Sequence, residues 1–223
     1  MATPASPLLA AALAILLLAV PPRLAGDTAP LADRALAAYE AGETEQAQRL
    51  FLQAAESGDV AAAYNAAVIR LNEESTTPDE RTAVELLTRS ARGGFAAAQY
   101  LLATFHEYGR FMPASQPMAL TWYRLAAEQG DADAQLALAT QYFLGRGTAL
   151  DYREAASWYG KAAEAGDAAA QFILASMYEK GVGVATDLEQ ALGWYSAAAR
   201  QGDIAAELKA KEVVELIAAM RRQ

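Results

Sequence analysis

The sequence predicts an all-α protein, a right-handed α-solenoid of helical hairpins closed by a C-terminal capping helix. Three observations predict it. Alanine supplies about a quarter of the 223 residues, and alanine is the strongest helix former and lets helices pack closely. Glycines Gly58, Gly94, Gly130, Gly166 and Gly202 recur every 36 residues, and a fixed period of that length marks stacked supersecondary units. A constant set of residues surrounds each glycine. Alanine lies eleven before it (Ala47, Ala83, Ala119, Ala155, Ala191) and four after it (Ala62, Ala98, Ala134, Ala170, Ala206). A bulky pair lies eight and seven before it: Leu50-Phe51, Leu86-Leu87, Trp122-Tyr123, Trp158-Tyr159 and Trp194-Tyr195.

The elements follow in order. Residues Leu8 to Val20 form an apolar run of 13, short of the roughly 20 that a spanning helix needs. Residues 1–26 therefore read as an export signal, cleaved near Ala25 to Asp27, with an uncleaved N-terminal anchor as the alternative. The fit is imperfect, because MATPASP carries no Lys or Arg and Arg23 sits two before Ala25. Residues 27–58 hold a first hairpin with its turn at Ala41-Gly42-Glu43, and residues 59–202 hold four units of 36. In the unit from Asp131 to Gly166, Asp131 is an N-cap that accepts from the free amides of the first turn. Ala134, Leu138 and Tyr142 then share one helix face. Gly145-Arg-Gly147 ends that helix. Asp151 opens the next one, with Glu154 placed for a capping box. Ala155, Trp158/Tyr159 and Ala162/Ala163 form its buried stripe, with the Trp-Tyr pair filling the space between units. A hairpin of this length cannot bury both faces alone, so the units must stack. Residues 203–223 start as another first helix. They then carry Lys209, Lys211, Glu212 and Glu215 where siblings have smaller or apolar residues, which reads as a cap with a polar outer face.

The text A-x-A-Q-x-x-L-A-x-x-Y-x-x-G-x-G-x-x-x-D-x-x-x-A-x-x-W-Y-x-x-A-A-E-x-G-D runs almost intact from Ala132 to Asp167, and again as AAAQFILASMYEKGVGVATDLEQALGWYSAAARQGD. It resembles the Sel1-like repeat family, a relative of the tetratricopeptide repeats. The unit from Ala96 departs at Gly109-Arg-Phe-Met-Pro and Ser115, the unit from Val60 carries LNEESTTPDE in its loop, and the first hairpin reads as a plain tetratricopeptide unit. The resemblance covers roughly residues 31–215. It implies adaptor roles in signalling, envelope assembly, secretion and host interaction, without choosing among them. Some cysteine-rich relatives are linked to β-lactam hydrolysis, but this chain has no cysteine.

Composition removes whole classes of function. The net charge of −9 opposes nucleic-acid binding. Zero cysteine removes thiolate chemistry and Cys-ligated zinc, and a single histidine, His106, leaves no basis for a triad or a multi-His metal site. No P-loop, G-x-S-x-G or H-E-x-x-H occurs. No catalytic residue, metal or cofactor is expected, and His106 reads as packing at the position of Tyr142 and Tyr178.

What remains is a surface. Two before the leucine position of each first helix (Leu102, Leu138 and Leu174, with Ala66 in the unit from Val60) stand Tyr64, Tyr100, Leu136 and Phe172, and five after it stand Leu71, Glu107, Phe143 and Glu179. In tetratricopeptide-like stacks the equivalent positions line the concave groove. The expectation by that resemblance is a partner-binding groove of Tyr64, Tyr100, Glu107, Tyr108, Leu136, Phe143, Phe172 and Glu179. It would suit an extended or helical peptide with apolar anchors and some basic residues. The competing reading is that the row packs against neighbouring helices. The functional expectation is a non-enzymatic protein-interaction scaffold in a bacterial cell envelope, periplasmic or secreted, touching membrane only through an uncleaved N-terminal segment. The alternative is a scaffold or glycan-contacting factor in envelope polysaccharide or peptidoglycan synthesis or secretion.

Overall fold

A computed structural model describes residues 30–71 and 79–222. The apolar run Leu8–Val20 and most of the LNEESTTPDE loop lie outside the described residues. Eleven helices are present among those described, with no strand: α1 (Leu31–Glu40), α2 (Thr44–Glu56), α3 (Val60–Leu71), α4 (Glu80–Arg92), α5 (Ala96–Tyr108), α6 (Gln116–Glu128), α7 (Ala132–Leu144), α8 (Tyr152–Glu164), α9 (Ala168–Lys180), α10 (Leu188–Arg200) and α11 (Ile204–Met220). The chain forms two compact units that meet between Ala114 and Ser115. That boundary falls in the loop that lacks the Gly-x-Gly pattern. Within each unit, consecutive helices pack on one another as a solenoid.

The repeated aspartates act locally. Asp59, Asp131, Asp167 and Asp203 each accept from the amide three residues on, at 2.9, 2.8, 2.6 and 3.0 Å. Each such cap stabilises its helix by ~1 kcal/mol. Phe95 replaces the aspartate before α5 and makes no side-chain cap. Its ring instead sits 5.2 Å from that of Tyr64. Asp151 caps α8 through the amides of Arg153 and Glu154. The reciprocal half of the expected capping box is absent, because the Asp151 amide already donates to the Tyr142 carbonyl at 3.0 Å.

The loop glycines answer to geometry. Gly147 and Gly183 have φ of 70° and 72°, and a Cβ at either would strike backbone, of Gln116 and of Tyr152 respectively. Phe111 occupies the equivalent position in the preceding repeat with φ 61°, a conformation that costs a non-glycine residue about 1–2 kcal/mol. Its ring lies 5.0 Å from that of Phe105.

Alanine sets the helix spacing. Ala67, Ala103, Ala139 and Ala175 on the first helices, and Ala83, Ala119, Ala155 and Ala191 on the second, are all 0 % exposed. A buried glutamine ties α5, α7 and α9 each to the helix before it. Gln99 donates to the Ala91 carbonyl at 3.1 Å, Gln135 to Ala127 at 3.3 Å and Gln171 to Ala163 at 3.0 Å. This is the physical meaning of the Q in the repeat text.

One expectation needs extending and one correcting. The tyrosine of the Trp-Tyr pair serves its own repeat as well as the space between units, where Tyr195 clusters with Ala206 and Val213 of α11. Tyr159 shares a 3.1 Å hydrogen bond with Thr140, and the Tyr195 ring lies 5.3 Å from Phe172. The outer face of α11 is not polar throughout. Lys211, Glu212 and Glu215 are exposed there, but so are Ile204 and Leu208. Lys211 stands where the siblings carry their buried alanine.

Candidate functional site

The expected surface residues fall in both units. In the first, Tyr64 is 1 % exposed against Phe95 and offers no surface, which removes it from the expected row. The missing aspartate cap at residue 95 put an aromatic ring beside it. Leu71 is also buried. Tyr100 and Glu107 are half-buried, and Tyr108 is exposed at the end of α5. His106 is half-buried, and burial lowers its pKa while a hydrogen bond to the Pro113 backbone raises it.

In the second unit, Leu136, Phe143, Phe172 and Glu179 are all half-buried. They lie on the flank of the first helices that meets the following second helix. Phe143 touches Tyr152 and Tyr159 at ring distances of 5.1 and 6.3 Å, and Phe172 touches Tyr195. Glu179 accepts from the Tyr195 hydroxyl at 2.7 Å and pairs with Lys209 at 3.6 Å. Burial, followed by the hydrogen bond to Glu179 and its charge, pushes the Tyr195 phenol well above its usual range. Lys209 also bonds Glu212 at 2.8 Å, and that bond together with Glu179 raises its pKa. This cluster ties α9, α10 and α11 together.

The most open stripe lies about one helical step round from the expected one. Helical geometry puts positions three, seven, ten and fourteen after each repeat glycine on one face. On α7 these are Asp133, Ala137, Thr140 and Leu144; on α9, Ala169, Ile173, Ser176 and Lys180; on α11, Ala205, Lys209, Glu212 and Leu216. Leu144 is 48 % exposed, and Leu208, in the flanking row of α11, is 57 % exposed. The hydroxyls Thr140 and Ser176, at the same offset on α7 and α9, were the available signal for this face. The Tyr159 and Tyr195 hydroxyls, which reach its hydroxyl row from the second helices, could not be placed from spacing alone.

Among the described residues, no group of three His, Asp or Glu side chains could hold a metal ion, and no helix is long and apolar enough to cross a membrane.

The Sel1 repeat model matches residues 32–59, 60–95, 96–131, 132–167 and 168–203. Among solved structures, the chain is similar to the c5321 protective antigen of uropathogenic Escherichia coli, which displays an SLR fold, with 32 % identity and a TM-score of 0.68 over 71 % of this chain and 34 % of that one. It is also similar to a Sel1 repeat protein from Oxalobacter formigenes, with 28 % identity and a TM-score of 0.71 over 76 % of this chain and 50 % of that one. The chain thus spans a third to a half of the length of these two proteins. No curated protein sequence matches it. Five matched repeats, the buried glutamine ties and the recurrent aspartate caps agree, and the chain belongs to the Sel1 repeat family.

Proposed function

We propose that this protein is a non-enzymatic scaffold that holds an extended peptide segment of a partner protein along the first-helix face of residues 115–222. Sel1-repeat proteins are in general non-catalytic scaffolds for protein–protein interaction. The observation that carries the reading is the exposure of Leu144, Leu208 and Leu216 on the first helices. Apolar side chains gathered on one face mark an interaction site. Glu179 and Glu212 share Lys209 and so leave one net negative charge near them, which suits a peptide with apolar anchors and a basic residue. A photo-crosslinking residue placed in turn at 144, 172 and 208 in the native cell tests it. The same partner polypeptide should be captured from all three positions and not from 128 on α6. Capture from 128 alone, or from none, would refute the reading.

The setting we propose is the bacterial cell envelope, periplasmic or secreted. Its support is the apolar run Leu8–Val20 with small and polar residues after it. N-terminal sequencing of the natural protein tests this. A mature chain starting near Asp27 agrees with export, and a cytosolic chain retaining Met1 refutes it.

A further inference from the structure

A second surface lies on the second helices of the same unit. A groove of about 560 Å³ runs between α8 and α10, with α9 as its floor. In the preceding repeat the equivalent place is filled by the chain itself. Arg124 on α6 donates to the Tyr142 hydroxyl at 2.5 Å and lies 5.9 Å from the centre of that ring. The adjacent Trp158 is only 8 % exposed, with the Lys161 ammonium 3.5 Å from its ring centre.

One repeat later, both covers are missing. Gly160 stands 36 residues after Arg124, so Tyr178, the counterpart of Tyr142, receives no such donor. Ala197 stands 36 residues after Lys161, so no cation covers Trp194, which is half-buried where Trp158 is buried. Gly160 is not demanded by packing, since a Cβ there would meet nothing within 4 Å. Nor is it favoured by the helix, in which glycine is the poorest residue after proline. Two differences from the preceding repeat therefore open one groove and bare one indole face.

The groove's chemistry selects the guest. Trp194 offers a flat apolar wall. Arg153, Lys161 and Tyr178, which carry donors, line the groove with it, as do Gln190 and Glu164. The charged lining, Arg153 and Lys161 against Glu164, is positive in a chain of net charge −9. A cationic side chain is disfavoured by that balance, and a partner helix would need a continuous apolar stripe that the charged rim interrupts. A pyranose ring has an apolar face and a polar edge, and a carboxylate on that edge would meet Arg153. The volume lies within the roughly 300–1,000 Å³ of small-ligand sites.

We infer that the groove between α8 and α10 binds an acidic saccharide, a carboxylate-bearing pyranose stacked on Trp194 and held by Arg153, Lys161 and Tyr178. This site uses the second helices, not the first, so its failure leaves the peptide-face proposal standing. The test is titration of the folded chain with tetragalacturonic acid, followed by tryptophan fluorescence and calorimetry. Its uncharged methyl ester and a lysine-rich peptide serve as competitors. Two variants restore what the preceding repeat carries, Gly160→Arg and Ala197→Lys, each with its helicity checked by circular dichroism. The expected result is saturable binding of the acid, about 10-fold weaker binding of the ester, and loss of binding in either folded variant. No saturable binding of the acid, equal binding by both variants, or preference for the ester or the peptide would overturn the inference.

Discussion

Replacing Gln171 by methionine should cost about twice what the same change costs at Gln135. Methionine keeps the volume and removes the hydrogen bonds. At Gln171 two bonds go: its donation to the Ala163 carbonyl at 3.0 Å, and its acceptance from Gln201 at 3.0 Å. At Gln135 one goes, the 3.3 Å donation to Ala127. Neither carbonyl is orphaned, since Gly166 and Gly130 still donate to them at 3.1 and 3.0 Å. Each lost bond therefore counts at its net value of about 1 kcal/mol, without the larger penalty of a buried unmet acceptor. The expectation is about 2 kcal/mol for Gln171→Met and about 1 kcal/mol for Gln135→Met. Gln171→Glu should cost more, about 3–5 kcal/mol, because a buried carboxylate would face a carbonyl. The assay is urea unfolding followed by far-ultraviolet circular dichroism, reading the midpoint at unchanged slope. Equal or zero shifts for the two methionine variants would refute the idea that these glutamines tie the repeats together.

Other consequences can be measured in the same way. Asp167→Ala should lose about 1 kcal/mol by removing the cap on Ala170, while Asp167→Asn should lose only a few tenths. Gly183→Ala should destabilise more than Gly166→Ala. Both have positive φ, but only at Gly183 would the new methyl meet backbone, that of Tyr152. His106 has a folded-state pKa below 6.5 because burial disfavours the imidazolium. Stability should therefore fall as pH drops below 6.5 and level off once the folded-state pKa is passed. A His106→Gln variant should flatten that part of the profile. Asp131 is shifted the other way, its pKa raised from 3.8 by burial. Its ionisation therefore opposes folding as pH rises from 3.8 through the raised value, and Asp131→Asn should be at least as stable as the parent at pH 7.

What the sequence revealed was the local part. The caps at Asp131 and Asp167, the glycines at Gly145 and Gly181 and the buried alanines each depend on neighbours within a turn or two, and a 36-residue period repeats them in view. The candidate surface was less legible because its meaning depends on partners far along the chain. Tyr64 occupies the same repeat position as Phe172, yet Phe95, where an aspartate was expected, buries it. The row of Tyr100, Leu136 and Phe172 lies on a flank rather than on the open face, and 100° per residue is enough to confuse the two. Arg124 on Tyr142 and its loss at Gly160 become visible only when the helices are placed side by side.

Lys211 has a consequence for assembly. A stack whose last member exposed the same alanine seat as Ala139 or Ala175 could receive the opening hairpin of another copy, and that one another, without closure. Head-to-tail addition of this kind generates filaments. An ammonium group at that seat, already paired with Glu207 at 2.6 Å, makes any hairpin laid on α11, from this chain or another, desolvate a charge.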